Sequence, residues 1–512
     1  MEYVCSQRQM QEIDRITIEE VGISSEVLME RAAYSVLQEI KDKCSSASEV
    51  LVLAGHGNNG GDGVALTRML LEADYAVTLC VIGNGNSSEG FQKQMDILMQ
   101  EQPYEEGLTL VEVREERDFS DISKQTFDVI VDSIFGIGLT RELKSPYREI
   151  IDMANAMSGL KLALDIPSGL HSLNGAVLGI AFIADVTVTF GFLKQGMLLG
   201  EGPKYCGDVK VKQVGFSKKA IASVNPQTYT MAEEDLKNLP KRYVLSNKGS
   251  YGKVVVFAGA KDMAGAAYFA CGAAYRMGAG LVKLYSHPDN IPVVSTKLPE
   301  LLTAPVPDDV TKEDIKNIVA EANAFGSVIV IGPGLGKSDG AKMLVETVLT
   351  EATVPVVIDA DGLNVLSEHM EWLDQKQTSV IITPHVKEME RLCGKTVAEI
   401  KTNTLEIAQA FAKQHEVICV LKDARSVVTD GTDSVYINEV GNNGMSTGGT
   451  GDVLAGIIGA LVASGMAPKW AADYGVLLHG TAGNRARDIL GERAMLASDL
   501  LEQLPEVTRT LA

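Results

Sequence analysis

Two short glycine-rich stretches carry the residues best placed for chemistry. Gly448-Gly449-Thr450-Gly451-Asp452 precedes the apolar run VLAGIIGALVASG. Consecutive backbone N–H groups at a helix start offer an anion hole for a phosphoryl group, and an Asp in the first turn can take a proton from an attacking hydroxyl. Asp452 as a plain helix cap is the alternative, yet the glycines would then only cost backbone entropy. The second stretch, AGHGNNGGDG, satisfies G-x-G-x-x-G at Gly55, Gly57 and Gly60 between a strand and a helix. Glycines there let the backbone approach a pyrophosphate, and five of them from Gly55 to Gly63 exceed what a tight turn needs. An NAD-dependent dehydrogenase would add an acidic residue about 20 positions on. Here the second strand ends in Val81-Ile82-Gly83-Asn84, which argues against that activity.

Further polar groups stand at strand ends: Asp132 in VDSIFGIG, and Asp165 with Ser168 in LDIPSG. One such Asp usually caps the next helix. Together with the glycine loop they point to a shared crevice at the carboxyl ends of a parallel sheet. Gly332-Pro333-Gly334-Leu335-Gly336-Lys337-Ser338 is one residue short of a P-loop and fits better as a glycine-rich pocket wall. His385 and Lys422 each directly follow a strand, and the apolar residues before Lys422 favour a phosphate contact over a solvated lysine.

The elements that must position these groups are α/β throughout. Short β-branched runs alternate with longer amphipathic stretches, the pattern of parallel sheets covered by helices. Strands are expected at 49–55, 75–83, 127–136, 159–169 and 184–191, and again at 252–259, 281–286, 326–332, 355–361, 378–384 and 417–423, with a further pair near 426–438. At 512 residues one core is too few, so two domains are expected, 1–217 and 243–512, joined by a polar, Pro-punctuated linker at 218–242. With 46% hydrophobic and 22% charged residues the chain is far from the signature of disorder. Its net charge of −21 opposes binding to nucleic acid or anionic membranes. Seven scattered cysteines without a Cys-x-x-Cys spacing suggest neither a disulfide framework nor a zinc site. The first residues lack a signal-peptide pattern, so a cytoplasmic protein is expected.

GHGNNGGDG, DSIFGIGLTRE, LDIPSGLHSLNG and TFGFLKQG together resemble the NAD(P)H-hydrate epimerase domain over roughly residues 1 to 215. GSYGKVVVFAGAKDMAGAA, IGPGLG, DADGLN, TPHVKEM and GGTGDVLAG resemble the ribokinase-like ADP/ATP-dependent NAD(P)H-hydrate dehydratase over roughly 240 to 510. The resemblance implies a Rossmann-like three-layer α/β/α domain followed by a ribokinase-like α/β/α domain. In the first, Asn58, Asn59, Gly60, Gly61 and Asp62 with Gly136, Ile137, Gly138, Leu139, Thr140, Arg141 and Glu142 would hold the hydrated dinucleotide, with Asp165 the acid/base at C6. Asn59, Asp132 and Ser168 would coordinate a potassium ion, for which hard oxygen donors are suited.

In the second domain, Ala267, Gly334, His385 and Asp452 would line the substrate site. Lys422, Asp423, Ala424, Arg425 and Ser426, and Asn442 with Gly448, Gly449, Thr450 and Gly451, would hold ADP or ATP with Mg²⁺. By the same resemblance Asp452 is the base that lets the hydrate's C6 hydroxyl attack the terminal phosphate. One position departs from the family: Lys422 is followed by Asp423, where Lys-Gly is common, and a carboxylate beside phosphates is unfavourable unless it points away or meets a metal. A homo-oligomer acting on NAD(P)H hydrates is expected. The competing readings are a small-molecule kinase of vitamin-precursor type fused to a dinucleotide-binding domain, and a non-catalytic scaffold. The latter should have lost its loop carboxylates, and Asp165 and Asp452 are both present.

Overall fold

Val50, Leu51, Val52 and Leu53 are all fully buried, because a parallel strand covered on both faces reads as a continuous apolar run. Val50 and Val52 belong to one hydrophobic cluster and Leu51 and Leu53 to another, so helices cover this sheet on both sides. The computed structural model describes every residue except 46–47, 102–105 and 510–512. It divides into two compact units, residues 2–227 and 228–512, the second including Met1.

The first unit holds a seven-stranded parallel sheet in the spatial order Leu108–Val113, Ala76–Ile82, Glu49–Ala54, Val129–Ser133, Leu160–Leu164, Val186–Phe190, Asp208–Lys212. The order reverses between Glu49–Ala54 and Val129–Ser133, where a doubly wound sheet opens its ligand crevice. A short parallel pair, Glu2–Cys5 with Leu193–Lys194, and the helix Gln7–Arg15 complete the site end of this unit. That helix starts at a capping box in which Ser6 and Gln9 satisfy each other's backbone N–H.

The second unit orders its strands as Leu302–Pro305, Leu281–Ser286, Lys253–Phe257, Val328–Ile331, Val356–Ile358, Val380–Ile382, Ile418–Leu421, Val427–Thr429, Val435–Ile437, Thr228–Thr230. Only Val427–Thr429 runs antiparallel to its neighbours. The helix Thr450–Ala463 is buried along its whole length from Val453, as expected of a helix apolar all round. It seats so closely that a Cβ on Gly456 would stand 2.2 Å from the Ala270 carbonyl oxygen, and one on Gly459 2.5 Å from Val330. Among the described residues no helix is long and apolar enough to cross a membrane.

The stretch 218–242, expected as a linker, carries structure. Lys218–Val224 is a helix whose Ala220 packs with Met10 and Ile13 of the first unit, and Thr228–Thr230 is a strand paired parallel with Val435–Ile437 of the second. The division falls at Gln227–Thr228, between Pro226 and the strand. Among the described residues six strands went unread. Glu2–Cys5 and Leu193–Lys194 are only four and two residues long, and the other four lack a long β-branched apolar run. Asp208–Lys212 alternates with lysine and Leu302–Pro305 ends in proline, both marks of a sheet edge. Leu108–Val113 is partly exposed at the other edge, and Thr228–Thr230 is only three residues long.

Candidate active sites

In the first unit the glycine loop leads into the helix Asn58–Leu71, and most of its glycines answer to packing. A Cβ on Gly55 would stand 2.1 Å from the Ile134 carbonyl oxygen, one on Gly60 1.8 Å from that of Gly55, and one on Gly63 2.0 Å from Ser133 Oγ. The surplus of glycines is therefore no mark of a ligand in itself. Gly57, the N-cap, faces open space, and Asn58 beside it is exposed. Asn59 is buried with its Nδ2 unpartnered and lies against Gly136, where a Cβ would be 3.4 Å away.

Next to Gly136, Asp132 is fully buried and accepts from the Ser168 N–H (2.7 Å), Ser168 Oγ (2.6 Å) and the Ile134 N–H (3.2 Å). Burial pushes its carboxyl up to about 6 against these bonds. Ser168 Oγ also accepts from the Phe135 N–H at 2.8 Å. The loop from Gly136 is pinned by buried Leu139 and by Ser172 Oγ donating to the Ile137 carbonyl at 3.0 Å, while Gly138, Thr140, Arg141 and Glu142 form an exposed rim.

Asp165 follows its strand in a left-handed conformation, φ +61°, which is strained for a residue other than glycine. Lys194 Nζ donates to its Oδ1 at 2.5 Å, to Thr189 Oγ1 at 2.7 Å and to the Phe190 carbonyl at 3.0 Å. Two more carboxyls face this pair. Asp62 is raised well above the usual range by burial and then by Asp165 and Asp14, and Asp14 is pushed up to about 6 by burial and Asp165, with Lys194 opposing.

In the second unit four adjacent parallel strands deliver Gly332, Asp359, Thr383 and Lys422 at their carboxyl ends. Lys422 Nζ donates to the buried Asp359 Oδ1 at 2.7 Å, and its N–H is held by the Pro384 carbonyl at 2.8 Å. Gly451 brings the helix start onto this pair, since a Cβ there would stand 3.2 Å from Lys422 Nζ and 3.4 Å from Asp359 Oδ2. Burial alone would lower Lys422, but Asp359, Glu388 and Asp452 raise it above its ordinary value. Ala360, between two acidic residues, sits at φ +50°.

The N-cap of Thr450–Ala463 is Gly449 at φ +96°, without a side-chain cap. Asp452 is thus not the cap. Its carboxylate makes no hydrogen bond among the described residues, and burial, then Asp359, push it up to about 7, with Lys422 opposing. His479 Nε2 meets the Thr450 carbonyl at 2.9 Å, an acceptor only, so this nitrogen carries the proton.

His385 caps Val386–Cys393, with its Nδ1 accepting the Glu388 N–H at 3.1 Å, which leaves Nε2 as the ring donor. The pocket wall Gly332–Gly336 turns through positive φ at Gly332, Gly334 and Gly336 and is tied by the Gly336 N–H to Asp361 Oδ2 at 3.0 Å. Ser338 caps the following helix, a structural role. Ala267 is buried facing Gly259, one residue along its helix from Ala266, which Gly334 touches.

Asp423, Ala424, Arg425 and Ser426 form the turn between two strands, where Arg425 donates to the Glu439 carbonyl and Ser426 accepts the Asn438 N–H. Asp423 leans toward Lys401, 3.8 Å away, so its carboxylate is drawn to a cation on a neighbouring helix. Asn442 accepts the Gly444 N–H at 3.0 Å and donates to Asn484 at 3.1 Å, and Gly448 faces open space.

Geometry adds residues that no motif reading singles out. Lys194 lies inside TFGFLKQG and Asp359 inside DADGLN; a lysine within an apolar run is the signal that marks Lys194. Asp14 is in neither motif set, and no local pattern marks it.

The chain matches the family model described as NAD(P)H-hydrate dehydratase at residues 254–506, and that described as YjeF-related protein N-terminus at 25–196. It is 36% identical over 498 residues to the bifunctional NAD(P)H-hydrate repair enzyme Nnr of Coxiella burnetii, covering 97% of each chain. Its identity to the protein of that name from Escherichia coli is 33% over 501 residues, 97% of this chain and 93% of that one. Among solved structures, the ADP/ATP-dependent NAD(P)H-hydrate dehydratase of Bacillus subtilis, co-crystallised with ATP/Mg²⁺, aligns at 30% identity and TM-score 0.48, covering 55% of this chain and 98% of that one. With two matched domains in this order and relatives alike over nearly their whole length, the chain belongs to the bifunctional NAD(P)H-hydrate repair enzymes.

Proposed function

We propose that Asp452 is the general base of the dehydration and Asp165 the acid/base of the epimerisation. The observation that carries this reading is Asp452 itself: a carboxylate without a hydrogen bond, in the first turn of a glycine-opened helix beside Lys422, pushed up to about 7. A base near the working pH is the efficient choice. Asp452 takes the proton of the C6 hydroxyl, and that oxygen attacks the terminal phosphorus of ADP or ATP as the bridging bond breaks. The phosphate ester then eliminates as phosphate, with loss of a proton from the neighbouring ring carbon, and the dihydropyridine is restored. Phosphorylation converts a poor leaving group into a good one, and catalysis is mostly positioning. Lys422 and the N–H groups of Gly449 to Gly451 hold the phosphates, and the half-exposed ring of His385, whose Nε2 lies 3.5 Å from Glu388 Oε1, lines the hydrate site. Mg²⁺, bound with the nucleotide, would supply charge neutralisation, and the carboxylate of Asp361 beside the pocket wall is of a kind that suits it.

In the first unit the hydrate sits between Asn58 to Asp62 and the rim Gly136 to Glu142. A potassium ion would be held by the oxygens gathered here: the carboxylate of Asp132, the hydroxyl of Ser168 and the amide oxygen of Asn59, which is buried against Gly136. Such an ion, when bound, fixes the loop and offsets negative charge. Because a phosphorylating site accepts one epimer, an attached epimerase supplies it with the other.

The test follows the hydrates' absorbance as reduced cofactor reappears, with ADP and ATP added in turn. S hydrate should be consumed only with a nucleotide, and R hydrate should follow at a rate set by epimerisation. Release of a stable phosphorylated product without reduced cofactor would instead support the kinase reading.

A further inference from the structure

Lys194 is 1% exposed, and nothing in the two-residue strand Leu193–Lys194 asks for a lysine on packing grounds. Removing an ammonium from water costs several kcal/mol unless its protons are all accepted. Here three protons meet three acceptors, Asp165 Oδ1, Thr189 Oγ1 and the Phe190 carbonyl, at 2.5, 2.7 and 3.0 Å. The cation is saturated and sealed, so it has no proton to offer a ligand.

Its effect falls on Asp165. Oδ1 of that carboxylate is engaged by Lys194 and approached by Thr189 Oγ1 at 3.3 Å and the Phe190 N–H at 3.5 Å. Oδ2 has no hydrogen bond among the described residues, and the side chain keeps 15% of its surface open. The backbone N–H of Asp165 is tied to the Val188 carbonyl at 2.8 Å, so main chain and one oxygen are both fixed to the strand Val186–Phe190.

We propose that Lys194 is a positioning residue for epimerisation: by engaging one oxygen of Asp165 it makes Oδ2 the oxygen that exchanges a proton with the hydrate, and fixes the direction in which it points. This rests on the acid/base reading of Asp165. A rotating carboxylate would present either oxygen to either face of the ring; a clamped one delivers from a single place. The other titratable groups facing the clamp are Asp14 and Asp62 across it and Cys5, which pairs in register with Lys194.

The test uses the full chain and measures kcat and KM for R-to-S interconversion without nucleotide. Lys194→Met should lower kcat by roughly 10- to 100-fold with KM within about twofold, the scale expected of a misplaced group. That split, a loss in kcat with KM kept, separates a misdirected carboxylate from a damaged binding site. S-hydrate dehydration, carried out in the other unit, should be unchanged and reports an intact protein. Added to Asp165→Asn, the same substitution should change the rate by less than twofold, since it acts only through that residue.

Should Lys194→Met not fold, Lys194→Gln, which keeps two donors without the charge, must show a kcat loss in the same direction with KM within about twofold. A wild-type kcat in either variant overturns the proposal, as do independent, multiplying losses in the double variant. A wild-type rate in Asp165→Asn alone would instead remove the reading on which it stands.

Discussion

Each unit of this protein surrounds one lysine with carboxylates, and the two lysines are bonded differently. Lys194 gives all three protons to the protein, one of them to the residue read as acid/base. Lys422 makes a single side-chain bond among the described residues, to Asp359, and keeps 20% of its surface open. Two of its protons are left for a ligand, and the carboxylate read as base, Asp452, is left unclamped. The same residue types therefore yield two devices. A saturated lysine can only orient its partner, whereas a half-satisfied lysine on an acidic partner keeps donors for an anion, which is the phosphate contact proposed for Lys422.

The largest break in this contrast is expected from Asp165→Asn. Turnover of R hydrate should fall at least 10²-fold, to its spontaneous epimerisation, while S-hydrate dehydration stays within twofold. Equal loss of both, in a folded protein, would mean that one group serves both reactions.

Next in size is Gly449→Val. Its φ of +96° disfavours any side chain, and a Cβ would stand 2.7 Å from the Phe269 ring, so the helix start must shift. At about 1–3 kcal/mol of strain, nucleotide affinity measured by calorimetry should weaken by roughly 5- to 150-fold. Unchanged affinity would show that this turn is not the phosphate cradle.

A smaller effect lies in pH. Asp452 is raised to about 7 in the folded protein, and a base works only when ionised, so kcat/KM for dehydration should fall about tenfold per unit as pH drops below that value. Lys422→Gln should move this limb upward, because Lys422 opposes the rise. A flat profile from pH 5 to 7 would remove Asp452 as the ionising group. Smallest is Asp423→Gly, which restores the common Lys-Gly. Because Asp423 leans toward Lys401 on an exposed surface, KM for nucleotide should change less than twofold.

The strand ends that carry the sites could be read from the chain because buried parallel strands leave unbroken apolar runs, such as VLVL before Gly55 and ICVL before Lys422. What those ends do to one another could not. Asp165 and Lys194 are 29 residues apart, Lys422 and Asp359 63, and which carboxylate a lysine selects is fixed by register between strands rather than by local pattern. The glycine loop carries two demands at once, since Gly55, Gly60 and Gly63 are also required by close approach to the Ile134 carbonyl, the loop's own Gly55 carbonyl and Ser133. The division falls inside the stretch expected as a linker, 218–242, whose helix of seven residues and strand of three are too short for periodicity to speak.

The most direct test of two separately wired sites is single-turnover phosphate release from S hydrate with ADP or ATP by full-length Asp452→Asn, with R-to-S interconversion followed in the same preparation. Asn keeps the side chain's shape without its charge. Release should slow by about 10²- to 10⁴-fold while epimerisation holds its wild-type rate. Release at the wild-type rate would contradict the assignment of Asp452 as base, and loss of epimerisation alongside it would contradict the independence of the two sites.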